Sequence, residues 1–207
     1  MSSILDFLFE PYTEYSILFI LLETVAVILG FLSVWFSKQN NILVYPTGMI
    51  STSIYVYILF NFGLIGDMLI NAYYFFISIY GWYFWSLSHE GVSLNKISHM
   101  NFNDYKTTLI LFLSAIFFVF VVYDFFNMWD NIIAYIDTIT TAIFFVGMWL
   151  MARRKIENWL FWIIGDIISI PVYFHKGLAL TSLQYLVFTF IAIAGYITWK
   201  KEFLYAK

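Results

Sequence analysis

The sequence predicts an all-α membrane protein with seven transmembrane helices in a 3+1+3 parallel-repeat arrangement. Composition carries the membrane assignment, because 62% of the 207 residues are hydrophobic and only 11% are charged. The mean hydropathy of +0.83 agrees with this, since a soluble domain of the same size could not keep so little polar surface. An internal repeat gives the arrangement of the helices.

Seven stretches of the chain have the length and apolar character that a membrane span needs, which is about twenty residues. The predicted helices lie near residues 16–36, 42–60, 67–87, 106–126, 133–152, 156–174 and 178–199. The second helix is unusually polar, because Pro46 and Gly48 interrupt its start and hydroxyl residues follow at 51–53. Such interruptions are tolerated where neighbours or a cavity satisfy the freed backbone groups, so this irregularity can itself mark a binding site.

The chain matches itself at an offset of 114 residues without a gap. The matched pairs are Glu23 with Asp137, Trp35 with Trp149, Gly63 with Gly177, Gly81 with Gly195 and Trp85 with Trp199. Matches of Trp and Gly in one ungapped register are hard to obtain by chance. Each repeat has three spans, so a fourth helix between them lets the second repeat insert in the same direction as the first. A solute pathway is then expected between the two bundles near the midplane.

These features divide the chain into five parts. We expect a short interfacial segment at 1–15, a first repeat at 16–87, a loop with a linker helix at 88–132, a second repeat at 133–200 and a cytoplasmic tail at 201–207. The first segment has no Lys or Arg before the apolar stretch, so it lacks the basic region of a secretory signal. The linker helix is apolar all round, and we expect it to make no substrate contact.

The orientation of the spans follows from Lys and Arg. If the seven spans alternate, nine of the ten basic residues fall on one side of the membrane and only Lys176 falls on the other. The nine are Lys38, Lys96, Lys106, Arg153, Arg154, Lys155, Lys200, Lys201 and Lys207. By the positive-inside rule, the C-terminus is cytoplasmic and the N-terminus faces outward.

The sixth predicted helix contains the strongest candidate binding site. Trp159, Trp162 and Asp166 are three and four residues apart, so they share one helix face. An ionisable side chain at mid-membrane depth costs about 2.5–3.5 kcal/mol on insertion scales, so it normally faces a bundle interior or a wet cavity. Indole faces attract a flat cation and a carboxylate neutralises it, which predicts a cationic aromatic ligand. The alternative is that Trp159 belongs to an interfacial aromatic belt and Asp166 bonds a neighbouring helix.

The third and seventh helices add further candidate residues. They are Asn71 and Tyr74 on the third helix, and Gln184 and Tyr185 on the seventh. Amides at membrane depth also bond across helices as ordinary packing contacts, so Asn71 and Gln184 fit a structural role equally well. We assign Trp82, Trp85 and Trp199 to an aromatic belt, because they lie near the cytoplasmic ends of their helices.

Several functions have no residues to support them. The chain has no cysteine, and its three histidines show no metal-ligand spacing, so no metal site is predicted. It has no glycine-rich phosphate loop, nucleotide motif or Ser-His-Asp arrangement, so no catalytic residues and no cofactor are predicted. A net charge of −3 without a basic run argues against a nucleic-acid partner.

Two runs carry a resemblance to a known family. The run RKIENWLFWIIGDIISIPVYFHKGL at 154–178 and the run GLIGDMLINAYYFFISIYGWYFW at 63–85 resemble the Pnu-type bacterial vitamin transporters. The resemblance covers roughly residues 16–200. It implies a 3+1+3 fold related to full-length SWEET transporters and a homotrimer in the bacterial inner membrane. It also implies facilitated uptake of nicotinamide riboside, which a cytoplasmic kinase then traps by phosphorylation, and it places Trp159 and Trp162 at the substrate site.

One position departs from the family pattern. Members that carry nicotinamide riboside tend to have Gln where this chain has Asn71. Other members carry thiamine or riboflavin, and thiamine is also a flat cation. The expected substrate is therefore nicotinamide riboside, with thiamine as the alternative. A non-transporting membrane receptor or scaffold is the rival class, and it would need no polar stripes around a shared cavity.

Overall fold

The computed structural model describes residues 16–61, 65–89, 92–127, 129, 132–175 and 179–205. Within these ranges the chain forms seven α-helices: α1 (Ile17–Lys38), α2 (Val44–Asn61), α3 (Ile65–Ser86), α4 (Phe102–Phe125), α5 (Ile132–Ala152), α6 (Asn158–His175) and α7 (Ala179–Tyr205). The strands β1 (Ser88–His89) and β2 (Val92–Ser93) form a two-residue antiparallel pairing between α3 and α4. The predicted all-helical fold is confirmed. The predicted N-terminal segment at 1–15 lies outside the described residues.

Two helix ends differ from the sequence prediction by more than two residues. Helix α4 begins at Phe102 rather than 106, because Asn101 and Asp104 form a capping box that ties the side chain of each to the backbone N–H of the other. Helix α7 continues to Tyr205 rather than ending at 199, and Asn40 Nδ2 donates to Glu202 Oε1 at 2.6 Å along this extension. Most of the expected tail is therefore helical. Hydropathy places the end of a span at the first charged residues, although the helix itself continues.

Four helical segments in the described ranges are long and apolar enough to cross a membrane by length and composition: α1, α4, α5 and residues 182–205 of α7. Of the others, α2 and α6 are the central helices of the two bundles, because α2 packs on α1 and α3, and α6 packs on α5 and α7. A central helix shows less surface to lipid, so it can carry more polar residues.

The packing between the repeats is reciprocal. Helix α1 of the first repeat packs on α7 of the second, and α3 of the first packs on α5 of the second. The first helix of each repeat therefore meets the third helix of the other, as a pseudo-two-fold axis requires. Helix α4 packs mainly on α5, which suits a linker between two repeats.

Side chains at the contact between the repeats show the same symmetry. Ser37 Oγ lies 3.2 Å from Met151 Sδ, and these residues are 114 positions apart, so equivalent positions meet at the pseudo-two-fold axis. Trp85 Nε1 donates to the carbonyl of Ala152 at 3.0 Å, and Trp199 Nε1 donates to the carbonyl of Ser37 at 2.9 Å. Each repeat thus donates an indole N–H to the end of the first helix of the other.

The same two tryptophans belong to a buried cluster that we call the aromatic plug: Tyr45, Trp85, Trp159 and Trp199. Tyr45 packs edge-on to Trp85 with ring centroids 5.1 Å apart, and Trp159 packs edge-on to Trp199 at 5.5 Å. Gly81 and Gly195 lie against Tyr45 and Trp159, and a Cβ at Gly195 would come within 2.6 Å of the Trp159 ring. Both glycines are therefore needed for the close approach of these rings.

The assignment of Trp85 and Trp199 to an aromatic belt is wrong. Their side chains are 3% and 0% exposed, whereas Trp82 is 42% exposed. Position near a helix end suits either role, and here the main-chain carbonyls of the opposite repeat satisfy both indole N–H groups, which allows full burial.

Replacing Trp199 by Phe should lower the free energy of unfolding by about 1–3 kcal/mol, because the Ser37 carbonyl loses its indole donor while most of the ring contact remains. Trp85→Phe should act in the same way through Ala152. Denaturant titration of the purified protein in detergent measures both changes, with the exposed Trp82→Phe as the control. Equal stability of all three variants would show that the reciprocal bonds do not hold the repeats together.

Candidate functional site

A cavity of about 230 Å³ lies between the two repeats. Its walls come from α1, α2 and α3 on one side and from α5, α6 and α7 on the other, and none of the described α4 residues line it. The predicted site residues that line the cavity are Tyr74, Trp159, Trp162, Asp166, Gln184 and Tyr185. The structure therefore brings together candidates from three separate helices.

Asn71 is the exception among the candidates. It lies on α3, three residues before Tyr74, and it is not one of the residues around the cavity. Asn71 has an interaction of its own within the protein. Its position agrees with the structural alternative, in which a membrane amide serves packing between helices.

Asp166 is the most unusual group in the cavity wall. It lies on α6, one turn beyond Trp162, and only 3% of it is exposed. Its carboxylate lines the cavity and receives no hydrogen bond or ion pair from any residue that the structure describes. A buried carboxylate without a partner is costly, so a cationic ligand would relieve the cost of burying it.

Aromatic rings surround the cavity on the side of the second repeat. Phe144 stacks between Trp162 and Tyr185, with centroid distances of 5.6 Å and 6.0 Å. Tyr74 approaches Trp162 from α3 at 6.4 Å. A Cβ at Gly165 would overlap the Phe144 ring, so this glycine lets Phe144 pack against α6. The result is a continuous aromatic wall built from Phe144, Trp162 and Tyr185, suited to a flat ligand.

The two tryptophans of the Trp-x-x-Trp pair have different surroundings. Trp162 is partly buried and stands in the aromatic wall. Trp159 is 2% exposed and belongs to the aromatic plug, and it also lines the cavity. Its Nε1 finds no hydrogen-bond acceptor among the described atoms. The pair therefore connects the cavity to the packed contact between the repeats.

Apart from Tyr74 on α3, the residues that the first repeat contributes to the cavity wall were not among the predicted site residues. They include Gly30, Ser33, Gly48, Ser51 and Thr52. The polar, interrupted start of the second helix was a signal for the last three. A second signal was available, because subtracting 114 from Trp162 and Asp166 leads to Gly48 and Thr52.

Positive charge lies outside the cavity. No Lys, Arg or His of the described residues lines it. The nearby basic residues are in the α5–α6 connection, where the Arg154 guanidinium lies 4.2 Å from the Trp85 ring centroid and Lys155 Nζ lies 2.9 Å from Asp104 Oδ2. Across the described part of the chain, no three His, Cys, Asp or Glu side chains converge as metal ligands would.

Known proteins share this architecture. The family model described as "Nicotinamide mononucleotide transporter" matches residues 20–201. The nicotinamide riboside transporter PnuC of Escherichia coli (strain K12) is 27% identical, and the match covers 86% of this chain and 84% of the relative. The riboflavin/roseoflavin transporter RibM of Streptomyces davaonensis is 21% identical, with 86% and 83% covered.

A solved structure agrees with the sequence relatives. The crystal structure of the vitamin B3 transporter PnuC matches with a TM-score of 0.64 and 25% identity, covering 87% of this chain and 80% of that one. The family consists of transporters rather than enzymes, which suits a cavity between two helical repeats. This chain thus belongs to the nicotinamide mononucleotide transporter family and is a multi-pass membrane transporter of the Pnu type for a small vitamin-like molecule.

Proposed function

We propose that this chain carries nicotinamide riboside across the bacterial inner membrane by facilitated diffusion. The carboxylate of Asp166 is the observation that supports this most. It is buried in the cavity wall, has no hydrogen-bond or ion-pair partner among the residues that the structure describes, and lies one turn from Trp162. A cationic nicotinamide ring against the aromatic wall would gain about 2 kcal/mol or more when desolvated, and Asp166 would neutralise its charge. Trp159, Tyr74, Gln184 and Tyr185 complete the proposed binding set, and Asn71 is left out of it because it lies outside the cavity wall.

The charge of the cavity favours a nucleoside over a nucleotide. A phosphate group carries about −1.5 to −2 charges at pH 7 and needs cationic or N–H donors. The described lining has no Lys, Arg or His, and its one carboxylate would repel the phosphate. Nicotinamide mononucleotide would therefore bind poorly, although the family description names it.

The size of the cavity favours a compact ligand. Its volume of about 230 Å³ lies below the range of roughly 300–1,000 Å³ that drug-sized ligands occupy. A tricyclic flavin needs more room than a single pyridinium ring with a ribose. Thiamine is the second candidate, because it is also a compact flat cation that Asp166 could neutralise.

Direction of net transport would come from metabolism. A carrier without ion coupling only equilibrates its solute, and phosphorylation by a cytoplasmic kinase would produce an anion that this cavity does not accept. The distribution of Lys and Arg supports a cytoplasmic C-terminus and an outward N-terminus. The homotrimer remains an expectation from the family resemblance.

Uptake into proteoliposomes tests the proposal directly. We expect labelled nicotinamide riboside to equilibrate at a saturable rate, with thiamine slower and riboflavin slowest, and with no dependence on a proton or sodium gradient. Enclosing a nicotinamide riboside kinase with ATP should convert equilibration into accumulation. Protein-free liposomes are the control. Rates equal to that control for all three vitamins would contradict the proposal, and faster uptake of thiamine would favour the second candidate.

A further inference from the structure

We propose that Ser33, Ser51 and Thr52 form a hydroxyl face that recognises the sugar of the transported cation. All three residues line the cavity from the first repeat, across from the helices that carry Asp166 and the aromatic wall. This inference rests on the proposed transport of a cationic nucleoside and names the residues that select its sugar.

Each of these hydroxyl groups already donates its proton to a main-chain carbonyl. Ser33 Oγ donates to the carbonyl of Val44 at 2.8 Å, and Ser51 Oγ donates to the carbonyl of Ala26 at 2.8 Å. Thr52 Oγ1 donates to the carbonyl of Gly48 at 2.9 Å. A hydroxyl has one proton and two lone pairs, so each of these oxygens can only accept a hydrogen bond from a ligand. An accepting surface suits a ligand with several O–H donors, as a ribose has.

The hydroxyl face is held in place by the packing of α1 on α2. The Ser33 bond runs from α1 to α2, and the Ser51 bond runs from α2 back to α1, so both oxygens are fixed before a ligand arrives. Two glycines keep them accessible. A Cβ at Gly48 would lie 2.9 Å from Ser33 Oγ, and one at Gly30 would lie 3.4 Å from Ser51 Oγ.

The second repeat has the opposite chemistry at the equivalent positions. Adding 114 to Ser51 and Thr52 leads to Gly165 and Asp166, and adding it to Gly48 leads to Trp162. The part of the cavity that α1 and α2 line is therefore small and hydroxyl-bearing, while the part that α5 and α6 line is aromatic and anionic. A ligand that fits must have two unlike halves, a flat cation and a polyhydroxyl group. Nicotinamide riboside has both, whereas thiamine has a second aromatic ring and a single hydroxyl.

Calorimetry with two probes separates the two halves of the site. The probes are nicotinamide riboside and 1-methylnicotinamide, which is methylated on the ring nitrogen and so keeps the cationic ring and lacks the sugar. Thr52→Val preserves shape and removes the accepting oxygen, so we expect it to weaken binding of the riboside about five- to tenfold. Binding of 1-methylnicotinamide should change less than about twofold, because this probe has no sugar to contact the hydroxyl face. Ser33→Ala should show the same difference.

Ser53→Ala is the matched control, since Ser53 is exposed, donates to the carbonyl of Met49 at 2.7 Å and does not line the cavity. Retained binding of 1-methylnicotinamide shows that a variant is folded. The hydroxyl face would be overturned, with the proposed function left standing, by either of two results. In one, Thr52→Val weakens the binding of both probes equally; in the other, the wild-type protein binds both probes equally tightly. Wild-type protein that binds neither probe would overturn the proposed function and this inference with it.

Discussion

Asp166→Asn should weaken the binding of nicotinamide riboside by about 2–4 kcal/mol, because a charge pair near 4 Å is worth about 4 kcal/mol at the effective dielectric of a protein. The reduced, uncharged form of the riboside has nearly the same shape, and its affinity should change by less than about 1 kcal/mol, since no charge pair is lost. Calorimetry on the wild type and the variant with both ligands measures the difference.

The same substitution should leave the empty protein as stable as the wild type or more stable. The carboxylate is buried and has no partner among the described residues, so the amide avoids the cost of an isolated charge. The increase in melting temperature that the riboside causes should shrink in parallel. Asp124→Asn, which changes an exposed carboxylate on α4 outside the cavity, is the control. Equal losses for the charged and the uncharged ligand would show that Asp166 shapes the cavity without pairing with a cation.

The helices and their pairing into repeats could be predicted because the membrane leaves few alternatives. A span needs a fixed length of apolar sequence, and the ungapped offset of 114 residues aligned the helices of the two bundles before any contact was known. The helix ends were less predictable. The capping box at Asn101 and the polar extension of α7 depend on local hydrogen bonds that hydropathy does not register.

The sequence predicted the residues on α6 that line the cavity but not the hydroxyl residues on α1 and α2, and the reason is physical. A lone carboxylate in an apolar helix is rare, so Asp166 was enough to predict which face of α6 lines the cavity. Hydroxyl residues are common in membrane helices, where they donate to a carbonyl one turn earlier, as Thr52 does to Gly48. They therefore do not stand out. Tryptophan is equally ambiguous, because an exposed residue such as Trp82 and a buried one such as Trp85 occupy the same helix three residues apart.

Trp159→Ala and Trp162→Ala should have different consequences, although the sequence presents them as one motif. Trp159 is almost fully buried against Gly195 and Trp199, so its removal leaves a large void in the aromatic plug. We expect the free energy of unfolding to fall by about 3–5 kcal/mol, as for other buried aromatic truncations. Denaturant titration in detergent measures this loss, and Trp82→Ala, at a 42% exposed side chain, provides the matched control.

Trp162→Ala should act mainly on the ligand. The ring stands in the aromatic wall and is only partly buried, so the variant should stay folded and bind nicotinamide riboside about 1–3 kcal/mol more weakly. Calorimetry and denaturant titration on the same preparations separate the two effects. Comparable losses of stability in both variants would mean that the aromatic wall is as structural as the plug. A ligand affinity unchanged in Trp162→Ala would instead move the cation to the rings of Tyr74 and Tyr185, which also line the cavity.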